Sequence, residues 1–260
     1  MILPGSYANG FAPRDGQPLY PELQRSCMFA AAPCLGPTGL TLQDWSGFGN
    51  HGTLTNMSAS SDWVVRSGRY ALDFDGSNDY VPTSRVPVTG SGPITISIWV
   101  LQSSDRAEDH AIKFGTATTA NAIGIYKGLA NQIEYGLHAS SFARFTGWSA
   151  FVGKWTHLVG VIRQGYIGLY INGVLAAEQS TVAAYNIGTT FCHIGAAQSV
   201  LVPWVGQIDD VRVYGRVLSS NEITLLASRR GIAFELASRR RSALVAGFNR
   251  RRRLLVGAGS

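Results

Sequence analysis

Two carboxylates stand side by side in the stretch Gly206 to Tyr214, GQIDDVRVY. Adjacent aspartates can serve as an acid/base pair, as metal ligands or as structural anchors, and each role makes its own demand on geometry. Side chains alternate along a strand, so Asp209 and Asp210 are expected to face apart and to share neither a proton nor a substrate. Alternation groups Asp209 with Val205, Val211 and Val213, and Asp210 with Ile208, Arg212 and Tyr214. A carboxylate among valines must be hydrogen-bonded, paired or metal-bound, because burying it bare is costly. Asp210 is expected to pair with an arginine on its own face.

Other patterns suggest chemistry without supporting it. GFGNHG (Gly47 to Gly52) fits the dinucleotide-binding spacing, yet TLTNMSASS follows, with no helix to present its N-terminus to a pyrophosphate. DGSND (Asp75 to Asp79) starts like a calcium loop, but Tyr80 stands where the turn glycine belongs and Val86 where the bidentate glutamate belongs. The histidines His51, His110, His138, His157 and His193 are scattered, and His157, inside an apolar alternation, reads as structural. Glu22, Glu108, Glu134, Glu178, Glu222 and Glu235 stand singly. No GxSxG elbow is present. Cys27, Cys34 and Cys192 lack any CxxC or His/Cys clustering, so free thiols are expected, with a Cys27–Cys34 disulfide as the alternative in an oxidising setting.

The elements that must hold these residues are strands. The chain has 260 residues with 30 glycines, and its alternating segments are rich in Val, Ile and Thr, which favours an all-β domain. ITISIWV (Ile94 to Val100) alternates, and so do KWTHLVGVI and IGLYI; Asn172-Gly173 then supplies a tight hairpin turn. IGIYKG, QIEYGLHA and CHIGA add short strands, for ten to fourteen expected in all. The sole helix signal is Ser219 as N-cap with Glu222 three residues on. Together these read as two antiparallel sheets packed as a sandwich.

Residues 1–37 hold six prolines and read as an extended arm. Residues 228–260 carry nine arginines against one acid, a charge of +8 in a chain of +6, so residues 1–227 carry −2. Arginine forks bind carboxylates and phosphates, which makes Arg239, Arg240, Arg241, Arg250, Arg251, Arg252 and Arg253 candidates for docking on an anionic partner. A solvated tail is the equal alternative. No stacking platform or recognition fold accompanies the charge, so nucleic acid is not the expected partner. No apolar run reaches the ~18 to 20 residues of a membrane span, and MILPGSYANG shows no signal-peptide pattern.

HGTLTNM, YALDFDGSNDYV, ISIWV, KWTHLVGVI, LYINGVL and GQIDDVRVYGRVLSSNEI, in this order and spacing, resemble the laminin-G-like family of concanavalin A-like lectins and glucanases. The resemblance covers roughly Leu40 to Leu226 and implies a jelly-roll domain over residues 38–227 between arm and tail. It also implies a structural calcium at the aspartate of the D-x-V-R-V-Y strand, here Asp209; Asp44 and Asn50 of the DWSGFGN loop are candidates for the remaining oxygens, and a hydrogen-bonded structural Asp209 is the alternative. The flanks, GPTGLTLQDWSGFGNHGTLTN and NRRRRLL, resemble LamG-type proteins of tailed phages and environmental bacteria. This implies a virion-surface protein, assembled in the host cytoplasm and joined to sister subunits through arm and tail.

Glycosidases of this family carry an E-x-D-x-x-E strand, with carboxylates at the ~5 to 5.5 Å separation of retaining hydrolysis; the chain has none. The expected function is non-catalytic binding of surface glycans, with Trp148, Trp204 and Tyr126 offering ring faces to sugars from Gly- and Ala-rich connections. An atypical glycan hydrolase using Glu134 or Asp109, and an Arg-tail nucleic-acid-associated protein, are the alternatives.

Overall fold

In a computed structural model, which describes residues 17–198 and 203–236, two antiparallel sheets enclose one apolar core. The eight-stranded sheet runs, in spatial order, Val174–Gln179, Tyr166–Ile171, Thr156–Arg163, Ile94–Gln102, Val205–Tyr214, Arg69–Asp75 and Trp63–Arg66, with Cys27–Ala31 added against Val205–Tyr214. The six-stranded sheet runs Phe142–Thr146, Gln132–Leu137, Ala122–Tyr126, His110–Gly115, Phe191–Ile194 and Val81–Pro82. A small ribbon pairs Thr41–Leu42 with Gly52–Thr53. The all-β sandwich expected from the alternating segments is therefore the observed fold.

Alternation builds the core directly. Ile94, Ile96, Ile98 and Val100 point inward and meet Ile112, Phe114, Ile123, Ile125, Ile133 and Tyr135 of the other sheet. The opposite side of the same central strand is also covered. The nine-residue helix Ser220–Ser228 lies there, and Trp99 Nε1 donates to Leu226 O at 3.3 Å. Ser219 caps that helix, and Glu222 returns the bond to Ser219 N at 2.8 Å, as the capping-box spacing requires. Asn172 and Gly173 both adopt positive φ, 50° and 85°, in the hairpin their sequence calls for.

The ends of the domain differ from expectation. The main compact unit spans Glu22–Ile232, beyond residues 38–227 on both sides. Cys27–Ala31, inside the expected arm, pairs with Tyr214 to Val211 as a sheet strand. The prolines bracket CMFAA and do not interrupt it, so its backbone N–H groups stay free to pair. Residues Arg229 to Gly231, assigned by sequence to the tail, also belong to this unit. Outside that unit, the described residues are 17–21 and 233–236, where Leu19 N donates to Glu235 O at 2.7 Å. The docking candidates Arg239, Arg240, Arg241, Arg250, Arg251, Arg252 and Arg253 lie outside the described residues.

Candidate functional site

The paired aspartates do not alternate. Asp209 pairs with Trp99 and Arg212 with Ser97, so three steps on one strand match two on its neighbour. The extra residue is a β-bulge, and Asp210 sits in it at φ 44°, a left-handed conformation that Asp tolerates better than most residues. The bulge switches the parity of the strand: Ile208, Val211 and Val213 all enter the core, where strict alternation would split them. Both carboxylates consequently hold the same short segment. Asp209 Oδ2 accepts from Arg230 Nη1 at 3.2 Å, and Asp210 Oδ2 accepts from Gly231 N at 2.8 Å.

The remaining oxygens are also engaged. Asp209 Oδ1 accepts from Cys34 N at 2.9 Å and Asp210 N at 2.8 Å, while Asp210 Oδ1 accepts from Arg212 Nε at 2.8 Å. The Asp210–Arg212 pair is the one its sequence face implied. Arg230 further donates to Arg66 O at 2.6 Å and lies 4.0 Å from the Trp155 ring centroid, a cation–π contact. Gly231 must be glycine here: its φ is +74°, and a Cβ would stand 2.8 Å from Cys34 Sγ. Burial, and next the charge of Asp210, push the Asp209 carboxyl up to about 7. Burial also lowers the Arg230 guanidinium, so desolvation outweighs the attraction across their single contact.

This donor set does not fit a calcium ion. Asp209, which is 0% exposed, is surrounded by N–H donors and a guanidinium, where a cation needs about six to eight oxygens. Asp44 and Asn50 have a different task from the one expected. Asp44 accepts from Ala30 N, Ser46 N, Ser46 Oγ and Asn50 N at 2.8–3.0 Å, and Asn50 Nδ2 donates to Met28 O at 2.9 Å. The DWSGFGN loop thereby holds the strand Cys27–Ala31. Among the described residues no three His, Cys, Asp or Glu side chains form a metal-binding group. Cys27, Cys34 and Cys192 are free thiols.

Two of the three expected sugar-stacking aromatics are core residues. Trp148 is 1% exposed and Trp204 0%, so neither ring has a face to offer. Trp148 Nε1 donates to Gln102 Oε1 at 2.5 Å, within a polar network that also holds Asp105, Arg106, Asp109 and Lys127. Asp109 accepts from Gln102 Nε2 and Arg106 Nε, both at 2.5 Å. A depression of about 400 Å³ beside the helix is lined by Glu22, Arg25, Arg216 and Glu222. Its Arg216 is already bound to Glu222 at 2.7 and 2.9 Å, so this corner is structural.

Tyr126 stands elsewhere, on the outer face of the six-stranded sheet. Ile112, Phe114, Ile123, Ile125, Ile133 and Tyr135 point to the core, so the intervening residues form the opposite face. Register places His110, Tyr126, Glu134 and Arg144 in one row across four strands. The next row runs Pro82, His193, Lys113, Gly124, Gly136 and Phe142. The Tyr126 ring stacks on His110 at 5.1 Å and 13°. Arg144 Nε donates to Glu134 Oε1 at 2.6 Å, and its guanidinium lies 4.5 Å from the Phe142 centroid. Burial, then the Glu134 charge, raise the Tyr126 phenol, which stays protonated and able to donate.

Sequence reading found Tyr126 and Glu134 but missed Lys113, Arg144, His138 and His193 as their company. The parity of HAIKFG sets Lys113 opposite Ile112 and Phe114; which strands lie beside it is fixed by sheet order, which local pattern does not encode. His157, expected to be structural, is fully buried with Nε2 2.9 Å from Ser97 Oγ, and burial drives it down to about 3.

Comparison with solved structures places this architecture among jelly-roll domains. Domain 4 of AbnA, a GH43 extracellular arabinanase from Geobacillus stearothermophilus solved with arabinotriose, is similar at TM-score 0.60 and 18% identity, covering 78% of this chain and 98% of that domain. The ligand-binding domain of botulinum neurotoxin serotype D, solved with N-acetylneuraminic acid, gives TM-score 0.61 and 15% identity over 80% of this chain and 52% of its own. The serotype G binding domain gives 0.59 and 17% over 77% and 50%. This chain spans about half the length of those toxin domains. At these identities the likeness is one of fold. No curated protein sequence matches. The Laminin_G_3 family, described as the concanavalin A-like lectin/glucanases superfamily, matches residues 75–224. With that match over more than half its length and the two-sheet order around the Val205–Tyr214 strand, the chain belongs to the concanavalin A-like lectin/glucanases superfamily.

Proposed function

We propose that the chain is a non-catalytic glycan-binding module whose binding surface is the outer face of the six-stranded sheet. The observation that carries this reading is the row His110, Tyr126, Glu134 and Arg144, which sets aromatic and hydrogen-bonding side chains in adjacent register on one rigid sheet. Sugar recognition needs that combination of apolar ring and fixed polar groups. Glu134 is the one carboxylate in the six strands, is 2% exposed and is paired with Arg144, whereas retaining hydrolysis needs two carboxylates about 5 to 5.5 Å apart. The arabinotriose and N-acetylneuraminic acid bound by the similar folds fit the same class of function.

The setting we propose is the surface of a virion, with the arginine-rich segment 237–260 docked on sister subunits. Its charge, seven arginines without an acid, supports this. Mass spectrometry of particles encoded beside the gene tests the setting: the intact chain in purified virions supports it, and absence overturns it.

A glycan array tests the function. Binding weakened by Tyr126→Ala or Arg144→Ala, without release of reducing ends, is the expected result. Release of reducing ends by pure protein, lost on Glu134→Gln or Asp109→Asn, would replace it with the hydrolase.

A further inference from the structure

Lys113 lies at the centre of the same face and is 8% exposed. Its ammonium makes one polar contact, to His138 Nδ1 at 3.1 Å, and stands 5.7 Å from the Tyr126 ring centroid. No carboxylate of the described residues forms an ion pair with it. Glu134, the acid on this face, is taken by Arg144. Burying a cation without a counter-charge is costly, and a domain that keeps one foregoes stability there. Burial alone lowers the Lys113 amine, with no opposing charge to restore it.

The surroundings suit an incoming anion. His193 pairs with Lys113 in register on one side, and its Nδ1 lies 2.9 Å from Ala197 O. On the other side the same row continues through Gly124 and Gly136, both buried, with Phe142 packed against Gly136. An acidic substituent that reaches the Lys113 ammonium is flanked by Tyr126 and His138.

Resting on the glycan-binding reading above, we propose that this face is selective for acidic saccharides, and that Lys113 holds their anionic group, a carboxylate or a sulfate ester. The ligand supplies the counter-charge the fold omits. Charge-assisted contacts in a dehydrated site are the strong kind, so the anionic group is the chief source of discrimination.

The test is calorimetric titration of the full chain with trigalacturonate, a sulfated galactotriose and neutral galactotriose. Acidic ligands are expected to bind at least about tenfold tighter than the neutral one. Lys113→Gln should reduce them to the neutral level, and Lys113→Arg should keep most of the preference. The stronger of the two acidic ligands tells carboxylate from sulfate. Lys113→Met should melt higher than the wild type while losing the acidic preference, an outcome that a structural lysine would not give. Unchanged acidic binding in Lys113→Gln overturns the proposal. If binding then still falls in Tyr126→Ala, the glycan-binding face stands and its acidic selectivity alone fails; if no saccharide binds, both fail.

Discussion

At the bulge of Val205–Tyr214 each carboxylate meets a guanidinium, Asp209 with Arg230 and Asp210 with Arg212. On the six-stranded sheet Lys113 meets only a histidine nitrogen and the face of the Tyr126 ring. The first region has the conspicuous sequence, two adjacent acids, and is built as a closed polar clasp between the chain ends of the domain. The second has an inconspicuous one, a lysine among apolar residues, and is left electrically incomplete. Internal pairing is what separates the two: a buried charge whose partners are all supplied by the fold has no capacity left for a ligand, whereas one without a counter-charge does.

Breaking the clasp should give the largest effects. Asp210→Ala leaves the fully buried Arg212 without its carboxylate and is expected to cost about 3 to 5 kcal/mol in urea denaturation. Strict alternation would have put Asp210 on a half-open face with a loss near 1 kcal/mol; a value that small would mean the bulge pairing is not formed. Truncation after Ala227 removes Arg230 and Gly231 and should destabilise the domain by roughly 2 to 4 kcal/mol, read as a lower denaturation midpoint. Truncation after Glu235 removes most of the arginine charge and should leave the midpoint of the sandwich unchanged. Equal midpoints for both truncations would dissolve the distinction between clasp and tail.

The pH dependence sharpens the same point. The native state holds the Asp209 proton to about pH 7, whereas an unfolded aspartate releases it near 3.9. The folded form therefore binds more protons between about pH 4 and 7, and this group's contribution to stability declines as pH rises through that range. His157 has the opposite slope: depressed to about 3 in the fold, it loses stability as pH falls from about 6.5. Asp209→Asn removes the first slope and keeps the second. The variant should gain on the wild type in melting temperature as pH is raised from 4 to 8, and a constant difference would contradict the shifted aspartate. The smallest effect is expected from a chelator. EDTA should not move the melting temperature, since the oxygens of Asp209 and Asp44 are committed to N–H and O–H donors.

Much of the architecture was legible because its signals are local. The inward set Ile94, Ile96, Ile98 and Val100, the Asn172-Gly173 turn and the Ser219/Glu222 capping box each depend on neighbours a few residues apart. The clasp was misread because a bulge overrides period two, and nothing in IDDVRV marks which residue is the inserted one. Cys27–Ala31 is hidden by the prolines on either side, although the strand itself, CMFAA, is apolar throughout. The Gly- and Ala-rich neighbours of Trp148 and Trp204 suggest rings that face sugars; short connections can fold inward and bury such rings completely. The relation of Lys113 to His138 and Tyr126 needed the order of three strands, which no local pattern carries.

The claim that recognition belongs to the sheet face and structure to the bulge is tested most directly by backbone amide NMR of the full chain during titration with trigalacturonate. Shift changes are expected in His110–Gly115, Ala122–Tyr126 and Gln132–Leu137, with Val205–Tyr214 and residues 44–50 unmoved. Changes concentrated at Val205–Tyr214 or residues 44–50, with those three strands silent, would contradict the account.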